Sequence, residues 1–200
     1  MGKKAGIGCL VVVVVVGLIA VGSLAGTYNS LVSLDQAVQA QWAQVENVYQ
    51  RRADLVPNLV ETVKGAAAFE RDTFTAVTEA RAKVGQVNVG SALNNPEAFA
   101  QFQQAQDGLS SALSRLLVVV EKYPELKATE NFRDLQAQLE GTENRIAVER
   151  RRFNETAQAF NTKRMSFPTV LIAGFFGSRF NEKSYFKAQP GAETAPPVKF

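Results

Sequence analysis

The chain has 200 residues, with 22 Lys and Arg against 19 Asp and Glu, no histidine and a single cysteine, Cys9. These counts exclude the usual structural zinc sites, an intrachain disulfide and any Ser-His or Cys-His nucleophile. Setting aside Lys3 and Lys4 leaves 20 basic residues against 19 acidic ones, too even a balance for an ordinary nucleic-acid binder although the whole-chain pI is 9.1.

From Gly6 to Gly26 runs an uncharged apolar stretch that includes six consecutive valines. As a helix it is about 30 Å long, the thickness of a bilayer's hydrocarbon core. The preferred reading is a retained membrane anchor over residues 1–26. A cleaved signal peptide is the second, because Ser23-Leu24-Ala25 has the small-x-small form of a cleavage site. Lipidation at Cys9 ranks last, since that cysteine opens the apolar stretch instead of following it. Lys3 and Lys4 precede the run, and no further Lys or Arg appears until Arg51. The expected topology is single-pass in the cell (inner) membrane, with the N-terminus cytoplasmic and the body extracytoplasmic or periplasmic.

Few helix breakers separate Tyr28 from the run, so the anchor can continue directly into the next helix. Leu31, Leu34, Val38, Val45, Val48, Leu55 and Leu59 fall at helical spacing, and Trp42, Tyr49, Val56 and Val63 widen the stripe. Pro57 lacks a backbone donor and disfavours helical angles at Val56. Asn58 and Glu61 have the spacing of a reciprocal cap. A boundary between two helices at Pro57 is preferred over a kinked long helix. The second helix then covers about Asn58 to Val84, through Leu59, Val63, Ala66 or Ala67, Phe69, Phe74, Val77 and Ala80, with Gly65 a weak point. Gly85, Gly90, Asn94 and Asn95 mark a loop.

Asn95-Pro96-Glu97 reads as cap, first helical position and dipole-favoured acid. The helix it opens carries Phe102, Leu109, Leu113, Leu116 and Val120 and stops at Tyr123-Pro124. Another begins near Thr129 and carries Phe132, Leu135, Leu139, Ile146, Phe153 and Phe160, with Gly141 and Thr142 inside it. Residues 27–186 are therefore expected to form an all-α, up-and-down antiparallel four-helix bundle with long helices behind the membrane helix. Each fully buried Leu or Phe contributes roughly 1.5–3 kcal/mol before entropy is charged. Thr169–Phe176 is apolar but too short to span a bilayer. It is expected to pack along the bundle with Phe180, Tyr185 and Phe186, and dipping into lipid is the second reading. Residues 187–200 have the composition of an extended or disordered tail.

The segment from Ala40 to Val60, with Trp42, Tyr49, Arg51-Arg52, Asp54 and Pro57-Asn58, resembles the LemA family of bacterial membrane proteins. So do Thr62-Val-Lys64-Gly65, Ala80-Arg81-Ala82, Glu130-Asn131-Phe132 and Glu140-Gly-Thr142-Glu143-Asn144-Arg145-Ile146-Ala147. Tyr185-Phe186-Lys187-Ala188 and Gly191-Ala-Glu193 extend the likeness to nearly the whole chain. The resemblance implies an N-terminal membrane helix followed by a helical bundle, and no established activity. The chain departs from it at Ala67 and Phe69, where a tyrosine and a histidine are expected. Losing that histidine argues against a metal or proton role there.

Candidate structural or partner-binding residues are Trp42, Tyr49, Arg51, Arg52, Asp54, Pro57, Glu143, Asn144 and Arg145. Trp42 and Tyr49, one heptad apart, read as core before interface. Arg51, Arg52 and Asp54 read as an ion-pair and capping cluster at the helix junction, with a recognition patch as the alternative. Arg52 falls on the buried stripe, and a buried arginine requires a carboxylate, expected from Asp54, Glu143 or Glu149. Glu140, Glu143, Glu149 and Glu155 share a helix with Arg145, Arg150, Arg151 and Arg152. They read first as a solvated face, then as a partner stripe. The Gly85 to Gly90 spacing does not make a phosphate loop. No cofactor, metal or nucleic acid is expected. The function expected is a non-enzymatic, membrane-anchored bundle acting as scaffold or accessory protein, through contacts with other envelope proteins or with itself. A membrane-surface or small-ligand sensor is the alternative.

Overall fold

The computed structural model describes residues 2–64 and 71–188, and among them all regular structure is helical. The helices are α1 (Gly2–Lys64), α2 (Arg71–Gln86), α3 (Val89–Ala92), α4 (Pro96–Val120), α5 (Pro124–Lys127), α6 (Glu130–Met165) and α7 (Thr169–Phe175), followed by a 3-10 turn at Gly177–Phe180. α1 has 63 residues, about 95 Å at the rise of an α-helix. It is the one helix among the described residues long and apolar enough to cross a membrane. Its side chains from Val12 to Val16, with Leu10, Leu18, Ile19, Val21 and Leu24, stand exposed.

Beyond Gly26 the same helix becomes a core element. Val38, Trp42, Val45, Tyr49, Arg52, Val56, Leu59 and Val63 are buried at alternating steps of four and three, the seam of a bundle helix. α4 presents Phe99, Phe102, Gln106, Leu109, Leu113, Leu116 and Val120 in the same rhythm, and α6 presents Phe132, Leu139, Thr142, Ile146, Phe153 and Phe160. α1 packs along α6 and α2 along α4. α1 and α4 run away from the apolar stem while α2 and α6 run back toward it, so the body is the expected up-and-down four-helix bundle. The starts of α4 and α6 follow the caps legible in the sequence. Asn95 Oδ1 accepts from Glu97 N at 2.8 Å and Ala98 N at 3.2 Å, and Thr129 Oγ1 accepts from Phe132 N at 3.4 Å.

Pro57 does not end a helix, which corrects the expected boundary. α1 continues through it to Lys64, and Asn58 is an interior residue whose carbonyl accepts from Thr62 Oγ1. The reason lies 24 residues downstream, at Arg81. A proline at 57 leaves the carbonyl four residues earlier, that of Ala53, without its helical donor. Arg81 Nε of α2 donates to Ala53 O at 3.0 Å, and the exposed Pro57 ring meets solvent. The second helix accordingly is not one element from Asn58 to Val84. α1 ends at Lys64 and α2 begins at Arg71, and Gly65, Ala66, Ala67 and Phe69 lie outside the described residues. The loop expected at Gly85–Asn95 contains the short α3, capped by Asn88 Oδ1 on Ser91 N.

α7 packs on α1 and α6 at the stem end of the bundle. After the 3-10 turn, residues 181–188 run extended along the bundle. Lys187, expected to open a loose tail, is held at both its N–H and its carbonyl. Residues 189–200 lie outside those described.

Candidate functional site

Three polar residues occupy seam positions at one level of the bundle, Arg52 on α1, Gln106 on α4 and Thr142 on α6. Arg52 is 1% exposed. Its Nη1 donates to Ser110 Oγ at 2.6 Å and to Glu143 Oε1 at 2.9 Å, and its Nη2 donates to the Gln106 carbonyl at 3.1 Å and to Gln106 Oε1. The guanidinium also lies 5.0 Å from the centre of the Tyr49 ring. Of the three carboxylates expected to pair with Arg52, Glu143 does so. Asp54 accepts from Gln50 on its own helix, and Glu149 accepts from Gln41 at 2.6 Å and Arg152 at 3.0 Å. Glu143 keeps part of its side chain in water, beside a small cavity of about 220 Å³ that Arg52 and Asp107 also line. This spares the pair the full cost of burying two charges. Thr142 turns its hydroxyl back onto the Gln138 carbonyl at 2.7 Å.

The polar level separates two apolar clusters. Toward the stem, Trp42 is surrounded by the rings of Phe99, Phe102, Phe153 and Phe186, with centroids 5.2–6.1 Å away. Tyr49 meets Phe102 edge-on at 5.3 Å. Burial raises the Tyr49 phenol above its ordinary pKa, against the opposing charges of Arg150 and Arg52. The residues 181–188 form a strap over this half, and side-chain amides pair with its backbone as a neighbouring strand would. Asn161 accepts from Lys183 N and donates to Lys183 O, both at 2.9 Å. Asn154 does the same for Phe186 at 2.9 and 3.0 Å, and Gln103 for Lys187 at 3.3 and 3.0 Å. Arg150 adds a bond to Lys187 O at 2.9 Å and lies 4.8 Å over the Phe186 ring. Lys183 itself is 2% exposed. Its ammonium meets Asp35 Oδ1 at 2.9 Å and Asn94 Oδ1 at 3.1 Å.

Of the residues singled out from sequence, Trp42, Tyr49, Arg52 and Glu143 converge at or below the polar level. Arg51, Asp54, Pro57, Asn144 and Arg145 are exposed around it and do not join it. The Glu/Arg face of α6 is divided as well. Arg151–Glu155 is an exposed pair at 3.8 Å, worth little, whereas Glu143 and Arg150 turn inward. Gln106, Lys183, Asn154 and Asn161 were missed. Gln106 was legible, standing four residues after Phe102 and three before Leu109 in the seam. Asn154 and Asn161 each follow a core phenylalanine, one heptad apart. Lys183 carries no such signal, because its partners come from α1 and from the turn before α4.

This arrangement can hold helices in register and clamp a strap. An open cleft of about 540 Å³ beside α2 is lined by Glu46, Tyr49, Arg81 and Phe102 among others. The chain is 27% identical to magnetosome protein MamQ 2 of Paramagnetospirillum magneticum, over 92% of this chain and 74% of that protein. It is also 27% identical to magnetosome protein MamQ of Magnetospirillum gryphiswaldense, over 84% and 67%. Protein LemA of Metamycoplasma hominis is 24% identical over 74% and 64%. The LemA family model matches residues 41–200, which takes in the seam from Trp42 onward, the polar level and the strap, and the chain therefore belongs to the LemA family.

Proposed function

We propose that this membrane-associated helical protein is a non-enzymatic scaffold or accessory factor of the bacterial cell envelope, working through contacts with other envelope proteins or with copies of itself. The observation that carries the reading is the continuity of α1, which is stem and core element at once. A body whose central helix is the anchor is held at a set height and direction, and confinement to the bilayer raises its effective concentration near membrane partners. Inside that body the charged groups of Arg52 and Lys183 are engaged by the bundle's own side chains. The side chains left facing outward at mid-height, Arg51 and Asp54 on α1 with Asn144 and Arg145 on α6, are the ones offered to a partner. The stem spans the inner membrane once with its N-terminus in the cytoplasm, as Lys3 and Lys4 ahead of the run favour.

Crosslinking in intact membranes followed by mass spectrometry tests the scaffold reading. Crosslinks to another envelope protein or to a second copy are expected, and a chain that captures neither overturns it. Protease access in spheroplasts tests sidedness, with cleavage of the body expected from the outside only.

A further inference from the structure

We propose that Phe167–Phe176 is a second membrane contact, an apolar foot lying in the boundary between headgroups and acyl chains of the same bilayer that the stem crosses. It goes beyond the scaffold reading and rests only on the membrane location of the stem.

Position is the first support. α7 and α1 enclose an open groove of about 550 Å³ lined by Val21, Leu24 and Tyr28 on one side and Leu171, Phe175 and Phe176 on the other. Val21 and Leu24 belong to the last turns of the apolar run, so α7 stands at the depth where the run leaves the hydrocarbon. Val21 to Tyr28 is only about 10 Å along the helix axis, comparable with the interfacial zone of one leaflet. The groove is thus continuous with the lipid-facing surface of the stem, and lipid that surrounds Val21 and Leu24 also reaches Leu171 and Phe175.

The second support is the division of the segment's faces. Thr169, Ile172 and Ala173 are buried against the bundle, while Phe167 is 80%, Leu171 66% and Phe175 85% exposed, with Met165 and Val170 beside them. The short α7 offers its bulkiest side chains outward, the reverse of what a helix packed for water does. Phe176 meets Tyr28 at 4.9 Å, and Tyr28 meets Phe180 at 5.7 Å. This is a ring cluster of the kind that collects at bilayer interfaces.

Charge is the third. From Lys163 to Lys183 the chain carries Lys163, Arg164, Arg179 and Lys183 against one acid, the exposed Glu182, and α1 has no acidic residue before Asp35. Asp35 is itself paired with Lys183. Arg179 lies over the rings of Tyr28 and Phe180 at 5.8 and 5.7 Å. The stem end of the bundle therefore presents cations around an apolar centre, the pattern that suits a surface of lipid phosphates. Because α7 also packs on α6, a foot in the interface fixes the tilt of the whole rod, with two attachments in place of one.

The test uses the full chain with Cys9→Ser and single cysteines introduced by Leu171→Cys, Phe175→Cys, Val14→Cys or Arg145→Cys. Each chain is spin-labelled and reconstituted in vesicles of phosphatidylcholine and phosphatidylglycerol. All four positions are exposed, and helical content by circular dichroism checks each labelled chain. Labels at 171 and 175 are expected to collide with oxygen several-fold more than with a water-soluble nickel chelate, as at 14, and the label at 145 to show the opposite order. If 171 and 175 behave like 145 while 14 remains in lipid, the foot is overturned and the stem stands. Labels shielded from both reagents, or broadened by a neighbouring spin, assign the groove to protein or to a second copy and overturn it as well.

Discussion

Toward the stem the core is made of rings, and away from it the core is made of aliphatic chains. Trp42, Tyr49, Phe99, Phe102, Phe153, Phe160, Phe180 and Phe186 dominate the first cluster. Val56, Leu59, Val63, Leu109, Leu113, Leu116 and Leu139, with Phe74 and Phe132, make up the second. The distal half closes with helix seams and the short α5 between α4 and α6. The proximal half needs more, because large flat rings do not interdigitate as evenly as leucines. It takes in the strap residues 181–188 as a further wall, with Phe186 inserted against Trp42 and three side-chain amides pairing with the strap's backbone. Arg52 and Gln106 stand where the two packings meet. A buried polar level there penalises any sliding of α1 against α4, since one seam step would leave both without partners.

Truncating the ring cluster should show this contrast most strongly. Trp42→Ala is expected to cost about 3–5 kcal/mol in denaturant unfolding and to raise hydrogen exchange at the Lys183 and Phe186 amides. Leu116→Ala, in the distal half, should cost about 2–5 kcal/mol yet leave those amides protected. Equal exchange in the two variants would mean that the strap is not specific to the ring half.

Arg52→Met comes next. It removes the donors to the buried Gln106 carboxamide, so a loss of about 1–3 kcal/mol is expected, and adding Gln106→Leu should recover most of it. An unchanged or raised melting midpoint for Arg52→Met alone would remove the structural claim of the polar level. Asn161→Ala should cost about 1–2 kcal/mol, because it frees both backbone polar groups of Lys183 from their pairing. Its effect on exchange should stay within the strap and its immediate neighbours.

Arg81→Ala should cost about 1 kcal/mol by leaving the Ala53 carbonyl without a protein donor. In a Pro57→Ala background, where residue 57 supplies its own N–H to that carbonyl, the same change should cost measurably less. Additive losses in the double variant would break the link between the two residues. The smallest effect is alkaline. The Tyr49 phenol is raised above 10.0 in the folded chain, so the unfolded chain loses that proton first. Its contribution is therefore complete below pH 10 and declines as pH rises beyond it. Tyr49→Phe should make the fall in melting temperature above pH 10 shallower.

The distal half was largely legible in the sequence because its contacts repeat. Leu109, Leu113, Leu116 and Val120 announce a seam by spacing alone, and Asn95 and Thr129 announce the helix starts by local chemistry. Arg52 was legible as a charge on that seam, and its need for a carboxylate follows from the energetics of burial. Pro57 misled because a proline is judged by what it removes from its own helix, while the compensating donor, Arg81, belongs to another. The packing of the strap was expected through Phe180, Tyr185 and Phe186, two of which, Phe180 and Phe186, are buried. Its polar pairing was invisible for the same reason as the Pro57 compensation, since Lys183, Asn161, Asn154 and Gln103 have no meaning until α4, α6 and residues 181–188 lie side by side.

By itself, then, the order of residues determined an apolar stem, a helical body, the phase of each seam and the caps of α4 and α6. All of these depend on neighbours within a few turns. Only the tertiary structure decided that α1 runs unbroken through Pro57, that Glu143 answers Arg52, and that the chain after α7 turns back to close the ring half. Those outcomes depend on hydrogen bonds and ion pairs between residues far apart in the chain, and only packing brings such groups together.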